Sequence, residues 1–219
     1  MSRISVWGFR WAPDFAQGLV RDLRVRWALI EAGRSYEVQL IGFEERTAAP
    51  YRQRQPFGMV PAFEADGLQL FESGAIVHHI ASDCAALMPA DASARAEVLT
   101  WMFAALNTVE PPIQNLLETD LLYGNEPWAA MRRPVVVDAV KARLGVLAGH
   151  LQGRDHLLGS FTAADILMTT TLRLARHAEL VAGFPVLDAY VKRCEARPAF
   201  RAALAEQMAD YARNTPIAA

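Results

Sequence analysis

The stretch FGMVPAFEADGLQLFESGAI, residues 57–76, decides the fold. It sets Pro61 inside a β-like run, where a residue without an N–H cannot complete a ladder. Asp66-Gly67 follows, the two-residue signature of a tight hairpin, since both central positions of such a turn take positive φ. Two short antiparallel strands are predicted around it. Glu72-Ser73 then stands where strand gives way to a helix beginning SGAIVHHIASDC. A proline in this setting belongs at a strand start, on an edge, or in a cis turn. A cis turn would face the Val60 N–H and C=O outward, open to an extended peptide-like ligand. At the helix start, backbone N–H groups and the Ser73 hydroxyl favour a carboxylate. The Glu72 carboxylate favours an ammonium beside it. Those two charges on one carbon make an α-amino-acid head group, so the stretch reads as a site for a short peptide with a free amino-acid end.

Upstream, ISVW (4–7) reads as a strand and FAQGLVRDLRVRWALIEAG (15–33) as a helix. Leu19, Leu23, Trp27 and Ile30 recur on one face of that helix, with Asp14 as its N-cap and Gly33 at its C-terminal cap. YEVQLI (36–41) alternates as a second strand. The order is β-α-β, a connecting segment, then β-β-α. Downstream the strand signals cease near residues 85–92. Val98, Trp101, Met102, Ala105, Leu106 and Val109 make a helical stripe that is predicted to end at Pro111-Pro112. Val136, Val140, Leu144, Leu147 and Leu151 make another. Thr162 and Asp165 have capping-box spacing, with Phe161 and Ile166 as the hydrophobic staple. A last helical pattern, LDAYVKRCEARPAF, is broken before Pro198.

Bulk composition narrows the function. The 219 residues are 53% hydrophobic and 21% charged, with a net charge of −2. That balance suits a globular protein and gives no electrostatic footprint for nucleic acid or an anionic membrane. No run approaches the roughly 20 apolar residues of a membrane-spanning helix, and the N-terminus lacks a signal-type apolar core. Cys84 and Cys194 stand alone, which suits a reducing, cytoplasmic setting and buried thiols. The histidines show no metal-ligand spacing, and no nucleophile-base-acid triad is proposed.

GMVPAFEADGLQLFESGAIVHHIA resembles the glutathione-binding half of the cytosolic glutathione S-transferases, and the class within them is not assignable. Gly58, Val60 and Pro61 match that family's cis-proline pattern, and Glu72-Ser73 its acid-serine pair. VRWALIEAGRSYEVQLI is similar to its first helix and second strand, and FTAADILM to its capping box. The resemblance covers nearly the whole chain. It implies an α+β fold: a thioredoxin-like N-terminal domain (a mixed four-stranded sheet with helices, residues 1–84) followed by an all-helical domain (92–219). It implies glutathione as cosubstrate, no metal, a small electrophilic second substrate and a homodimer. Val60 and Pro61 then hold the cysteinyl unit, Glu72 and Ser73 the γ-glutamyl end, and Arg46 or Arg52 the glycyl carboxylate. The lysine that many members carry before the Val-Pro pair is Met59 here.

One departure concerns the sulfur. Family enzymes lower the pKa of the glutathione thiol, because the thiolate is the nucleophile. Members supply a Tyr, Ser or Cys where the first strand meets the first helix, yet between Ser5 and Ser35 this chain has no Ser, Thr, Tyr or Cys. Arg10, the Trp11 indole N–H and backbone N–H groups at the helix start are the candidates that remain. The second substrate is expected between the domains, against Phe15, Phe103 and Asn107. The leading reading is a transferase that conjugates or reduces electrophiles. The alternative is a non-catalytic binding or regulatory module on the same fold.

Overall fold

Strand pairing follows from where the turns fall. In the computed structural model, which describes residues 3–216, β1 (Ile4–Phe9) pairs parallel with β2 (Glu37–Ile41) and antiparallel with β3 (Ala62–Ala65). β3 pairs antiparallel with β4 (Leu68–Phe71), which gives the sheet order β2-β1-β3-β4. A parallel pair needs a crossover connection, and α1 (Asp22–Glu31) supplies it. Between β3 and β4, Asp66 has φ 51° and Gly67 φ 80°, the paired positive values of a type I′ turn. A short helix, α2 (Ala49–Arg52), follows β2, and α3 (Ser73–Ser82) leaves the end of β4. Val6, Trp27, Leu29, Phe63, Ile76 and Ile80 are all buried and form the core of this part.

α1 is shorter than its sequence pattern predicts. Residues 14–18 are turns and Gly18 takes φ 72°, so the helix starts only after Arg21. Asp14 is therefore no N-cap; its side chain accepts from Gln17 Nε2 at 3.2 Å. At the other end Gly33 has φ 64°, and the N–H groups of Arg34 and Gly33 donate to the carbonyls of Leu29 and Ile30. That is the paired closure of a Schellman motif.

Every residue from Asp22 to Leu29 is buried, charged ones included. Arg26 bonds Asp22 at 2.8 Å and Asp210 at 2.7 Å, and Gln207 donates to Asp22 at 2.8 Å. Burial pushes the Asp22 carboxyl upward, against the opposing pull of Arg26 and Gln207. Gln207 and Asp210 lie on α9 (Pro198–Arg213), whose Phe200 meets Trp27 edge-on at 4.9 Å. Contacts accordingly group the residues up to Leu87 with those from Pro198 onward, and Met88–Arg197 form a second unit. The sequence pattern keeps 92–219 together. The difference is this last helix, tied to α1 by an ion pair 184 positions apart in the chain.

The second unit is helical: α4 (Ala92–Ala104), α5 (Glu110–Leu117), α6 (Pro127–Leu151), α7 (Ala163–Arg173) and α8 (Pro185–Glu195). Pro111-Pro112 does not end the first helical run, contrary to the sequence expectation. A π-helical turn, Ala105–Val109, intervenes, and both prolines fall in the first turn of α5, the part of a helix where proline is best tolerated. Val136, Val140, Leu144, Leu147 and Leu151 are buried as their spacing predicts. Asp165 accepts from the Thr162 N–H at 2.9 Å, the Leu157 N–H at 3.0 Å and the Tyr190 hydroxyl at 2.9 Å. Such a cap is worth about 1 kcal/mol. Beside it Cys194 is buried, and burial pushes its thiol up to about 12. Among the described residues no helix is long and apolar enough to cross a membrane, and no cluster of His, Cys, Asp or Glu is placed to hold a metal ion.

Candidate functional site

The Val60–Pro61 bond is cis. The Val60 side chain is buried with Ile41, Tyr51 and Ala62. β3 begins only at Ala62, so neither backbone polar group of Val60 belongs to a strand ladder. The approach to it is held from behind, since the Tyr51 hydroxyl donates to the Met59 carbonyl at 2.6 Å. Gly58 has φ 64°, and a Cβ there would stand 2.7 Å from the Arg46 carbonyl oxygen and 3.2 Å from Arg52 Nε. Only glycine fits both constraints, and this close approach brings the Arg46 and Arg52 segment alongside Met59-Val60-Pro61. Arg52 Nη1 donates to the Pro56 carbonyl at 2.7 Å, while the Arg46 guanidinium lies 5.7 Å from the centre of the Phe43 ring.

At the opposite side of this corner, Ser73 is the first residue of α3 and is buried. Glu72 precedes it at φ 69°, ψ 113°, exposed and with no side-chain cap bond. A non-glycine residue held in such a region costs on the order of 1–3 kcal/mol. Ser73 sits one residue inside the helix, past the position from which a side chain caps, so a plain capping role does not account for it. Its Oγ accepts from Arg24 Nη1 at 3.1 Å. Arg24, on α1 and 2% exposed, has no counterpart in the sequence reading. An arginine between Leu23 and Val25 reads as the solvated side of an amphipathic helix, yet a partner on α3, 49 residues away, meets it in the interior.

The loop after β1 is less committed. The Arg10 N–H continues the β1–β2 edge by donating to the Ile41 carbonyl at 2.8 Å. Its half-exposed side chain pairs with Glu45 at 3.0 Å, and Glu45 also accepts from the Gly42 N–H. That N–H, aided by the Arg10 charge, holds the Glu45 carboxyl below the usual carboxylate range. Trp11 is half-buried. The N–H groups of Leu23 and Arg24, at the start of α1, donate to the Val20 and Arg21 carbonyls, so those two helix-start donors are already used. Phe15 is exposed in the same loop. In the second unit Phe103 is exposed on α4, and Asn107 lies in the π-helical turn on a groove of about 410 Å³ shared with Thr108, Pro111, Ala142 and Arg143.

Two family models match the chain: the glutathione S-transferase N-terminal domain over residues 17–82 and the glutathione S-transferase C-terminal domain over residues 132–198. Together they take in more than half of it, and the protein belongs to the glutathione S-transferase family. It is 33% identical over 162 residues to elongation factor 1-gamma-A of Xenopus laevis, a match covering 71% of this chain but only 36% of that protein. Glutathione S-transferase 3 of Zea mays is 29% identical over 222 residues, with 94% and 95% of the two chains covered. A crystallised glutathione transferase of Burkholderia graminis, with two glutathione molecules bound per subunit, superposes with a TM-score of 0.81. It shares 28% identity over 92% of this chain and 87% of that one.

Proposed function

We propose that the protein binds glutathione at the β3–α3 corner and adds its thiolate to small electrophilic substrates or uses it to reduce them. The observation that carries this reading is the pairing of the Val60 backbone groups, outside any ladder, with a buried Ser73 hydroxyl at the start of a ten-residue helix. Val60 and Pro61 take the cysteinyl unit, Ser73 the α-carboxylate of the γ-glutamyl end, and Glu72 its ammonium. Arg46 or Arg52 meets the glycyl carboxylate, and arginine suits that task because its fork binds a carboxylate bidentately. Phe15, Phe103 and Asn107, all exposed, are the side chains assigned to the second substrate. The working form is a cytoplasmic homodimer, and sedimentation showing only a 24.2 kDa species at micromolar concentration would remove that part.

For the sulfur, Arg10 and Trp11 stay in competition. Arg10 is engaged by Glu45, but an exposed pair of this kind is worth only about 0–1 kcal/mol, so a thiolate competes for it at little cost. A second reading keeps the fold and ligand without turnover, as a binding module. It is favoured by the absence of Ser, Thr, Tyr or Cys between Ser5 and Ser35 and by the likeness to elongation factor 1-gamma-A. Calorimetry with glutathione, run beside a conjugation assay with chlorodinitrobenzene and a peroxide reduction assay, separates the two. Binding with turnover supports the transferase; binding without turnover on either substrate class supports the module; no binding defeats both.

A further inference from the structure

Ser73 has company that the proposed ligand set leaves unexplained. Arg24 reaches across from α1 to place Nη1 3.1 Å from Ser73 Oγ, with both residues buried. A guanidinium only donates and keeps its charge, so in this contact the serine oxygen is the acceptor. A hydroxyl carries one proton and two lone pairs. With a lone pair committed to Arg24, the proton is turned away from α1 and stays available to a further acceptor. A charged donor also polarises the O–H it feeds, which strengthens the next bond in the chain. The helix start adds its own positive end, and no side chain caps it. A guanidinium and a helix N-terminus converging on one hydroxyl make a place where an anion is favoured and a neutral group is not.

We propose that Arg24 is a positioning residue for the amino-acid end of the ligand. It orients the Ser73 hydroxyl toward the α-carboxylate, and through that hydroxyl it makes the site select a charged carboxylate over an uncharged end. The proposal rests on the reading of Ser73 as the carboxylate donor. It adds a residue to that site and assigns the site's discrimination to it. Arg24 does not touch the ligand.

The test compares glutathione with its analogue lacking the α-carboxylate, 4-aminobutyryl-cysteinyl-glycine, by calorimetry on wild type, Arg24→Gln and Arg24→Lys. Wild type should prefer glutathione by about 10- to 100-fold, the range of a charge-assisted hydrogen bond. Arg24→Gln should lose most of that preference by weakening glutathione while leaving the analogue nearly unchanged. Arg24→Lys, which keeps the charge, should restore part of it. Combining Arg24→Gln with Ser73→Ala should cost little more than Ser73→Ala alone, because the two act through one bond. Equal weakening of both ligands would make Arg24 merely structural and overturn the proposal, as would full preference retained in Arg24→Gln. A wild type that does not distinguish the ligands would instead defeat the carboxylate reading of Ser73 itself. Should both Arg24 variants fail to fold, the guanidinium ¹⁵N resonances of wild-type Arg24 decide: a shift on adding glutathione but not the analogue supports the proposal, and the same response to both overturns it.

Discussion

The β3–α3 corner and the loop after β1 are built in opposite ways. At the corner each group is fixed by a neighbour that leaves it little freedom. Gly58 is pressed against the Arg46 backbone, Met59 is held by Tyr51, and Ser73 is held by buried Arg24. In the loop, Arg10 makes an exposed ion pair with Glu45, and residues 14–18 form turns rather than the predicted helix. Burial separates the two. A hydrogen bond out of water is worth more than one in it and costs more to break, so the corner is held more tightly than the loop. The part proposed to hold the peptide is fixed by buried partners, and the part proposed to act on its sulfur is more exposed.

The largest expected effect bears on α1, which carries Arg24 to the corner. Asp210→Ala removes one carboxylate from buried Arg26 and should destabilise the protein by about 3–5 kcal/mol, measured by urea unfolding. A loss under 1 kcal/mol would mean that Asp22 alone holds Arg26 and that α9 is not needed to seat α1. Next in size, Gly58→Ala forces a Cβ onto the Arg46 carbonyl at positive φ. It should cost on the order of 1–3 kcal/mol and weaken glutathione binding, whereas Gln17→Ala in the loop should do neither. Equal effects from the two would erase the contrast between the regions.

A smaller effect is expected in the loop itself. Arg10→Ala should raise the pKa of bound glutathione, seen as thiolate absorbance appearing at higher pH, with affinity nearly unchanged. Trp11→Phe keeps the ring and deletes the N–H donor. Arg10 is expected to matter more, since a charged hydrogen bond is worth roughly twice a neutral one. If neither variant shifts the titration, neither side chain activates sulfur and the binding-module reading gains. Smallest is a pH effect in the second unit. Burial, opposed by the nearby Asp165 charge, holds His156 below its ordinary value of 6.5. The folded state therefore resists a proton that the unfolded chain accepts. Stability should fall as pH drops below about 6.5, and His156→Gln should flatten that part of the melting-temperature profile. An unchanged profile in the variant would clear His156 of the effect.

Much of the corner, and the cap of α7, was legible because the signals are local. Asp66-Gly67 fixes a hairpin through its own φ values, Thr162 and Asp165 cap a helix three residues apart, and Ser73 marks the end of a strand. Arg24 and Arg26 were not legible. A charged letter in a helical pattern reads as solvated, and partners 49 and 184 residues away help to make these two internal. The same nonlocality moved α9 to the first unit. The late start of α1 was missed because Gly18 looks harmless inside an apolar stripe until its φ of 72° is seen. Pro111-Pro112 misled in the other direction: a π-helical turn before them lets two apparent breakers begin a helix.

The central claim, that the corner holds a glutathione through Ser73, is tested most directly by titrating glutathione into wild type and Ser73→Ala in the calorimeter at neutral pH. Measurable binding to wild type, weakened about 10- to 100-fold in the folded variant, is the predicted result. Equal affinity in the two folded proteins would contradict it.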